Sequence, residues 1–191
     1  REGMLNRPAI IVLVLLLAGS AHAQVVGLER MTELWDLPLL DRGTVSFGES
    51  SHDHTGLNQD GFTGLFSRLY WEDGMNILYD DEGPGCVYRM WFTLPMPYSR
   101  LVISVDDQAQ PVFDGPIQDF FANQYDPFKS PLVWNDLISS GGFVSYVPIC
   151  YQKRLRIGAT LWTFFYNFTA QHYRADTTVA SFTGAEDYST A

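Results

Sequence analysis

Backbone breakers set the pattern of this chain more firmly than any other feature. Glu72-Asp73-Gly74, Asp81-Glu82-Gly83-Pro84-Gly85, Pro95-Met96-Pro97 and Ser139-Ser140-Gly141-Gly142 interrupt it at short intervals, and such clusters mark turns. The pieces between them read as strands: 66–72, 75–79, 86–93, 101–105, 143–150, 155–159, 161–168 and 177–182. Alternation is clearest at Leu101-Val102-Ile103-Ser104-Val105-Asp106, which puts Leu101, Ile103 and Val105 on one face. About eight strands with decorated loops predict an all-β fold, a jelly-roll β-sandwich.

Two short helices complete the expectation. Leu28, Met31 and Trp35 recur at helical spacing within 28–40, before Pro38 stops them. Residues 116–122 place Pro116 in a first turn, with Phe120 and Phe121 inward. No repeat, low-complexity tract or linker divides the rest.

The N-terminus has a different character. Arg7, the apolar run 9–19 and Ala21-His22-Ala23 have the layout of a secretory signal peptide cleaved after Ala23. Eleven apolar residues are fewer than the ~20 a membrane span needs. Arg1-Glu2-Gly3 precede Met4 and read as upstream read-through. The expectation is an exported protein with no membrane span, 1–23 being removed and 24–191 forming one jelly-roll domain. The chain stops soon after its last predicted strand, so it reads as part of a longer frame.

The formal charge of −10 argues against nucleic acid or another phosphate-bearing partner. Aromatics make up 15% of the residues, which suits either a β-rich core or a surface on which sugar rings stack. Cys86 and Cys150 permit one disulfide in an oxidising compartment, or two buried thiols in apolar runs.

Three constellations carry chemistry. His52-x-His54 on a strand would put two imidazoles on one side, as a metal site needs. No glutamate follows closely, and the next histidine is His172, so a polar loop is the commoner reading. Carboxylates abound at Asp53, Asp60, Asp80, Asp81, Glu82, Asp106, Asp107, Asp114 and Glu186, and glycoside cleavage uses a spaced pair. Asp80-Asp81-Glu82 and Asp106-Asp107 nevertheless read as solvated turns. Arg89 shares a strand face with Val87 and Trp91 by simple alternation. A charge so placed is either ion-paired or orients a carboxylate or sugar hydroxyl in a pocket. No nucleophile elbow, cysteine–histidine pair or phosphate loop is present.

Four ordered stretches, 50–62 (SSHDHTGLNQDGF), 79–93 (YDDEGPGCVYRMWFT), 101–121 (LVISVDDQAQPVFDGPIQDFF) and 141–157 (GGFVSYVPICYQKRLRI), together resemble the N-terminal part of glycoside hydrolase family 172. The resemblance runs from about Leu28 to Phe182, and Gly83-Pro84-Gly85 followed by Arg89-x-Trp91 is its strongest piece. It implies the first of two tandem jelly rolls, assembled into trimers or hexamers. It also implies an exported retaining hydrolase of fructofuranosides or D-arabinofuranosides that works with two glutamates and needs no metal or other cofactor. Asp53, Asn58 and Asp60 match the family pattern and, with Arg89 and Trp91, are the implied substrate-binding residues. His52 and His54 stand where members usually carry Tyr and Arg, and Leu57 stands for a Gly. The glutamate pair is expected beyond this chain, because Glu29, Glu33, Glu49, Glu72 and Glu82 fall in no catalytic motif. A non-catalytic carbohydrate-binding or oligomer-forming jelly roll is the alternative.

Overall fold

The computed structural model describes residues 25–36 and 42–188. The leader, and the part of the first expected helix at 37–40, lie outside the described residues. Helix α1, Leu28–Thr32, buries none of its side chains and gives way to a single 3₁₀ turn at Leu34–Asp36.

The described strands form two antiparallel sheets, a β-sandwich. One sheet runs β1 (Val45–Ser50), β11 (Phe165–His172), β4 (Gly85–Thr93), β8 (Phe143–Ser145), β7 (Val133–Trp134), with β9 (Ile149–Tyr151) also paired to β4. The other runs β2 (Tyr70–Glu72), β3 (Met75–Glu82), β10 (Arg154–Ala159), β5 (Arg100–Val105), β6 (Phe113–Pro116). The chain crosses between sheets at β1–β2, β3–β4, β4–β5, β6–β7, β9–β10 and β10–β11. This repeated crossing is the winding of a jelly roll.

Periodicity located the long strands and failed at their ends. Pro148, lacking an N–H, splits the expected strand 143–150 into β8 and β9. Residues 161–164 form a loop, with Phe164 at φ 47° in the left-handed region, so β11 starts only at Phe165. Of 66–72, only Tyr70–Glu72 is strand. Residues 177–182 are not a strand. Their bonds go to Gln152, which donates from its side chain to the Thr177 carbonyl and accepts the Val179 N–H, and to the Cys150 carbonyl. Val179 and Phe182 are buried there even so. Residues 45–50 and 113–116 were missed as strands. Pro116 ends β6 and immediately precedes α2, Ile117–Phe120. Phe120 and Phe121 are fully buried, as the helical reading placed them.

The aromatics divide by type. Phe92, Phe113, Phe120, Phe121, Phe128, Phe168 and Phe182 are buried in the core and meet mainly edge to face, as at Phe113–Phe120 (4.8 Å) and Phe92–Phe168 (5.5 Å). All five tryptophans lie outside the buried core, from half-buried Trp91 to exposed Trp35, Trp71, Trp134 and Trp162.

Bulges decide which side chains face in. In β4, Thr169 of β11 opposes Arg89 while Ala170 opposes Val87, so Tyr88 is the extra residue. Val87, Met90 and Phe92 enter the core, whereas Arg89 and Trp91 face outward. Simple alternation had put Arg89 on the face of Val87; the bulge corrects that. A matching shift in β3 opposes Tyr79 to Ile157 and Ile77 to Gly158. It turns Leu78, Tyr79 and Asp81 inward and Asp80 outward.

Candidate glycan-binding face and its supports

The two ends of the sandwich differ in chemistry. At one end, carboxylates and sulfur tie the sheets together. Cys86 and Cys150 oppose each other across β4 and β9 and are joined by a disulfide, packed with Tyr173 and Val179. Asp81 accepts from Tyr151 Oη at 2.5 Å and contacts His172 Nδ1 at 3.1 Å, so both partners reach it from the opposite sheet. Tyr151 Oη lies 2.9 Å from Tyr79 Oη, and burial drives both phenols well above their ordinary pKa.

Asp106 occupies a left-handed turn (φ 50°) after β5 and accepts the N–H groups of Gln152, Lys153 and Arg154 and the Ser181 hydroxyl. Burial alone would raise its pKa, but these donors together bring it below the usual carboxylate value. Asp80 behaves alike. Its burial penalty is outweighed by a two-bond pairing with Arg154 at 2.7 Å and by the Tyr70 hydroxyl. The reading of Asp80-Asp81-Glu82 as a solvated turn is therefore wrong. All three lie in β3, and the first two are structural acceptors.

At the other end the loops are long. The segment after β1 folds around Asp53, which is 6% exposed. Its Oδ1 accepts from Thr55 N (2.9 Å) and Thr55 Oγ1 (2.5 Å), its Oδ2 from Gln59 N (3.1 Å). The Thr55 hydroxyl is the main reason its pKa is lowered. Asp60 Oδ1 accepts the Asp53 N–H at 3.0 Å. These two aspartates spend their oxygens on the loop itself, an Asx-type scaffold. Asn58 is exposed on the loop. His52 and His54 are in a loop rather than a strand, with rings 4.2 Å apart. Among the described residues no group of three or more His, Cys, Asp or Glu side chains is arranged to hold a metal ion.

Arg89 and Trp91 stand on the outer face of the first sheet. Arg89 Nη1 donates to Asn167 Oδ1 at 3.0 Å, and Asn167 is registered directly between Ser50 of β1 and Trp91 of β4. Gly142 lies against Trp91, where an added Cβ would come within 2.4 Å of the indole nitrogen. The expected binding residues thus separate. Arg89, Asn167 and Trp91 form one outward cluster, Ser50 and His52 adjoin it through a 3.3 Å contact, and Asp53 and Asp60 shape the neighbouring loop. Asn167 carried no signal in the sequence, because only strand pairing brings it to Arg89.

Glu49 is the other residue that sequence reasoning passed over. It faces inward from edge strand β1 opposite Phe168. Burial raises its pKa, and the Ser50 N–H (3.1 Å) offsets this only in part.

A cleft of about 450 Å³ opens where the loop end meets residues 161–164. Gln59, Thr63, Gly64, Leu65, Arg68 and Trp162 line it. Comparison with protein families now has a frame, for residues 42–190 match the model of the GH172 first β-sandwich domain. The chain belongs to that family. The GH172 match starts just before β1 and spans both sheets, the Arg89 face and the cleft. No curated protein matches the chain. No helix among the described residues is long and apolar enough to cross a membrane.

Proposed function

We propose that this chain is the N-terminal β-sandwich of an exported retaining glycoside hydrolase acting on fructofuranosides or D-arabinofuranosides, and that it supplies part of the sugar pocket. Its membership in the GH172 first β-sandwich family supports the hydrolase class. The observation that carries the sugar reading is the outward cluster of Arg89, Asn167 and Trp91. It joins a guanidinium held by an amide rather than a carboxylate to a partly open indole. Such a surface offers hydrogen-bond donors for vicinal hydroxyls and an aromatic face for sugar C–H groups. The disulfide fits an oxidising compartment. In this reading the chain binds sugar and leaves bond cleavage to a glutamate pair outside it, so it shows no turnover alone.

Calorimetric titration of the full chain with fructo- and D-arabino-oligosaccharides tests this. Binding without hydrolysis is expected, with Arg89→Gln weakening it about tenfold, or ~1.4 kcal/mol. Absence of binding to either series would overturn the sugar reading. The alternative, a non-catalytic carbohydrate-binding or assembly module, is favoured by one observation. Leu94, Met96, Tyr98, Leu161 and Trp162 are exposed in adjacent loops at the cleft end, and large exposed apolar patches mark contact surfaces. Light scattering that shows trimers or hexamers of the chain, with no glycan binding, would favour assembly.

A further inference from the structure

The Arg89 cluster has a structural counterpart at the cleft. Arg100, Arg154, Arg156 and Arg174 each hold a carboxylate within 2.7 Å. Arg68 does not. Its Nη1 donates to Asn76 Oδ1 at 3.0 Å, and its guanidinium carbon lies 5.9 Å from the Trp71 ring centroid. Asn76 is itself 2% exposed and fixed by a bond from its Nδ2 to the Ala159 carbonyl (3.2 Å). Arg68 and Arg89 therefore share one arrangement, an arginine anchored by a strand asparagine and flanked by tryptophan.

The second aromatic wall is also held in place. Trp162 meets Phe164 edge to face at 5.9 Å. Gly64 (φ 74°) packs on its ring so closely that an added Cβ would come within 2.5 Å. The Trp162 carbonyl accepts the Met96 N–H at 3.0 Å. A bulky indole fixed on one side and 42% exposed on the other is a platform. Opposite the apolar wall of Trp162 and Leu65, the cleft offers the Gln59 amide and the Arg68 guanidinium. The loop scaffold sets the place of Gln59, since its N–H is bonded to Asp53.

We propose that this cleft is a second saccharide subsite, in which one sugar residue of a neutral oligosaccharide stacks on Trp162 while its hydroxyls bond to Arg68 and Gln59. The volume lies within the range of small-ligand sites, roughly 300–1,000 Å³. A neutral ligand follows from the electrostatics. The cleft lining holds a single cation in a chain of formal charge −10, whose field repels anions. The subsite depends on the glycan reading above and extends it. Bound together, the two positions would hold successive portions of one chain, and affinity would rise with oligosaccharide length.

The test uses the full chain and furano-oligosaccharides of increasing length, read by calorimetry and by the indole N–H resonances, with Trp162→Phe assigning its own. Long ligands should shift the Trp162 resonance and bind at least tenfold more weakly to Trp162→Ala and Arg68→Gln. Monosaccharide glycosides should bind these variants like the parent and lose affinity only with Arg89→Gln. If long ligands bind both cleft variants as tightly as the parent and leave the Trp162 resonance unmoved, the subsite is refuted while the Arg89 site stands. If the parent binds no furanoside of any length, both readings fall. Trp162→Phe keeps an aromatic wall, and unchanged melting of Arg68→Gln separates lost binding from lost folding.

Discussion

One end of this sandwich is tied together, and the other is left open. At the tied end a disulfide, the Asp81 clamp and the Asp106 turn connect the sheets within a few residues of each other in space. At the open end, exposed tryptophans and leucines sit on loops whose polar groups bond mostly within the loop. The difference shows how a β-sandwich can hold binding loops without a large stability cost. Cross-links and buried acceptors stabilise one rim, so the opposite rim can expose apolar surface and keep partly unsatisfied donors for a ligand.

Replacing both Cys86 and Cys150 by alanine is the severest test of that contrast. The bridge closes a sequence separation of 64 residues, so its loss should cost roughly 2–4 kcal/mol in denaturant unfolding. Binding of oligosaccharide at the open end should change little in the folded fraction. Asp106→Ala comes next. It strands three backbone N–H donors and the Ser181 hydroxyl, and should cost about 2 kcal/mol.

Acid should loosen the tied end first. Asp80 and Asp106 have folded pKa values below their ordinary ones. Their contribution is therefore complete above the unfolded value, about 3.9, and fades as pH falls through the lower folded values. Melting temperature measured against pH should drop on acidification below about pH 4, and Asp80→Asn should flatten the drop. Glu49 has the opposite sign. Its raised pKa favours folding below the unfolded value of about 4.3 and loses that benefit as pH rises through the folded one. Glu49→Gln should raise the melting temperature at pH 7 and leave it unchanged near pH 4. At the open end, Leu94→Ser and Tyr98→Ser should alter stability by no more than about 0.5 kcal/mol. A large loss there would erase the contrast between the rims.

Much of the framework was readable before any coordinates. Leu101, Ile103 and Val105 face the core as their alternation requires, and all three are buried. Phe120 and Phe121 turned inward as their local spacing indicated. What failed has a common physical cause, since it depends on pairing across the sheet. Asp80 looks like a turn residue until Arg154, 74 positions away, is placed beside it. Residues 177–182 look like a strand, yet their partner is a glutamine side chain rather than a neighbouring strand. Residues 45–50 alternate poorly because β1 is an edge strand with an inward glutamate. The candidate site was legible in part. Arg89 and Trp91 stand out locally, whereas Asn167, Arg68, Asn76 and Trp162 become a site only through long-range contacts. Asp53 and Asp60 were legible as important and not as what they do, because a loop-organising aspartate and a ligand-binding one use the same residue type.

The extra residue in β4 carries a consequence for insertions and deletions. A strand has two phases, and Tyr88 switches β4 from one to the other midway. Removing that single residue would restore strict alternation and swap the destinations of everything after it. Arg89 and Trp91 would be driven into the apolar interior, and Met90 and Phe92 into water. The strand's first half would keep its place, and its second half would be inverted. A deletion of one tyrosine would thus act on this face more severely than substitution of either residue that forms it.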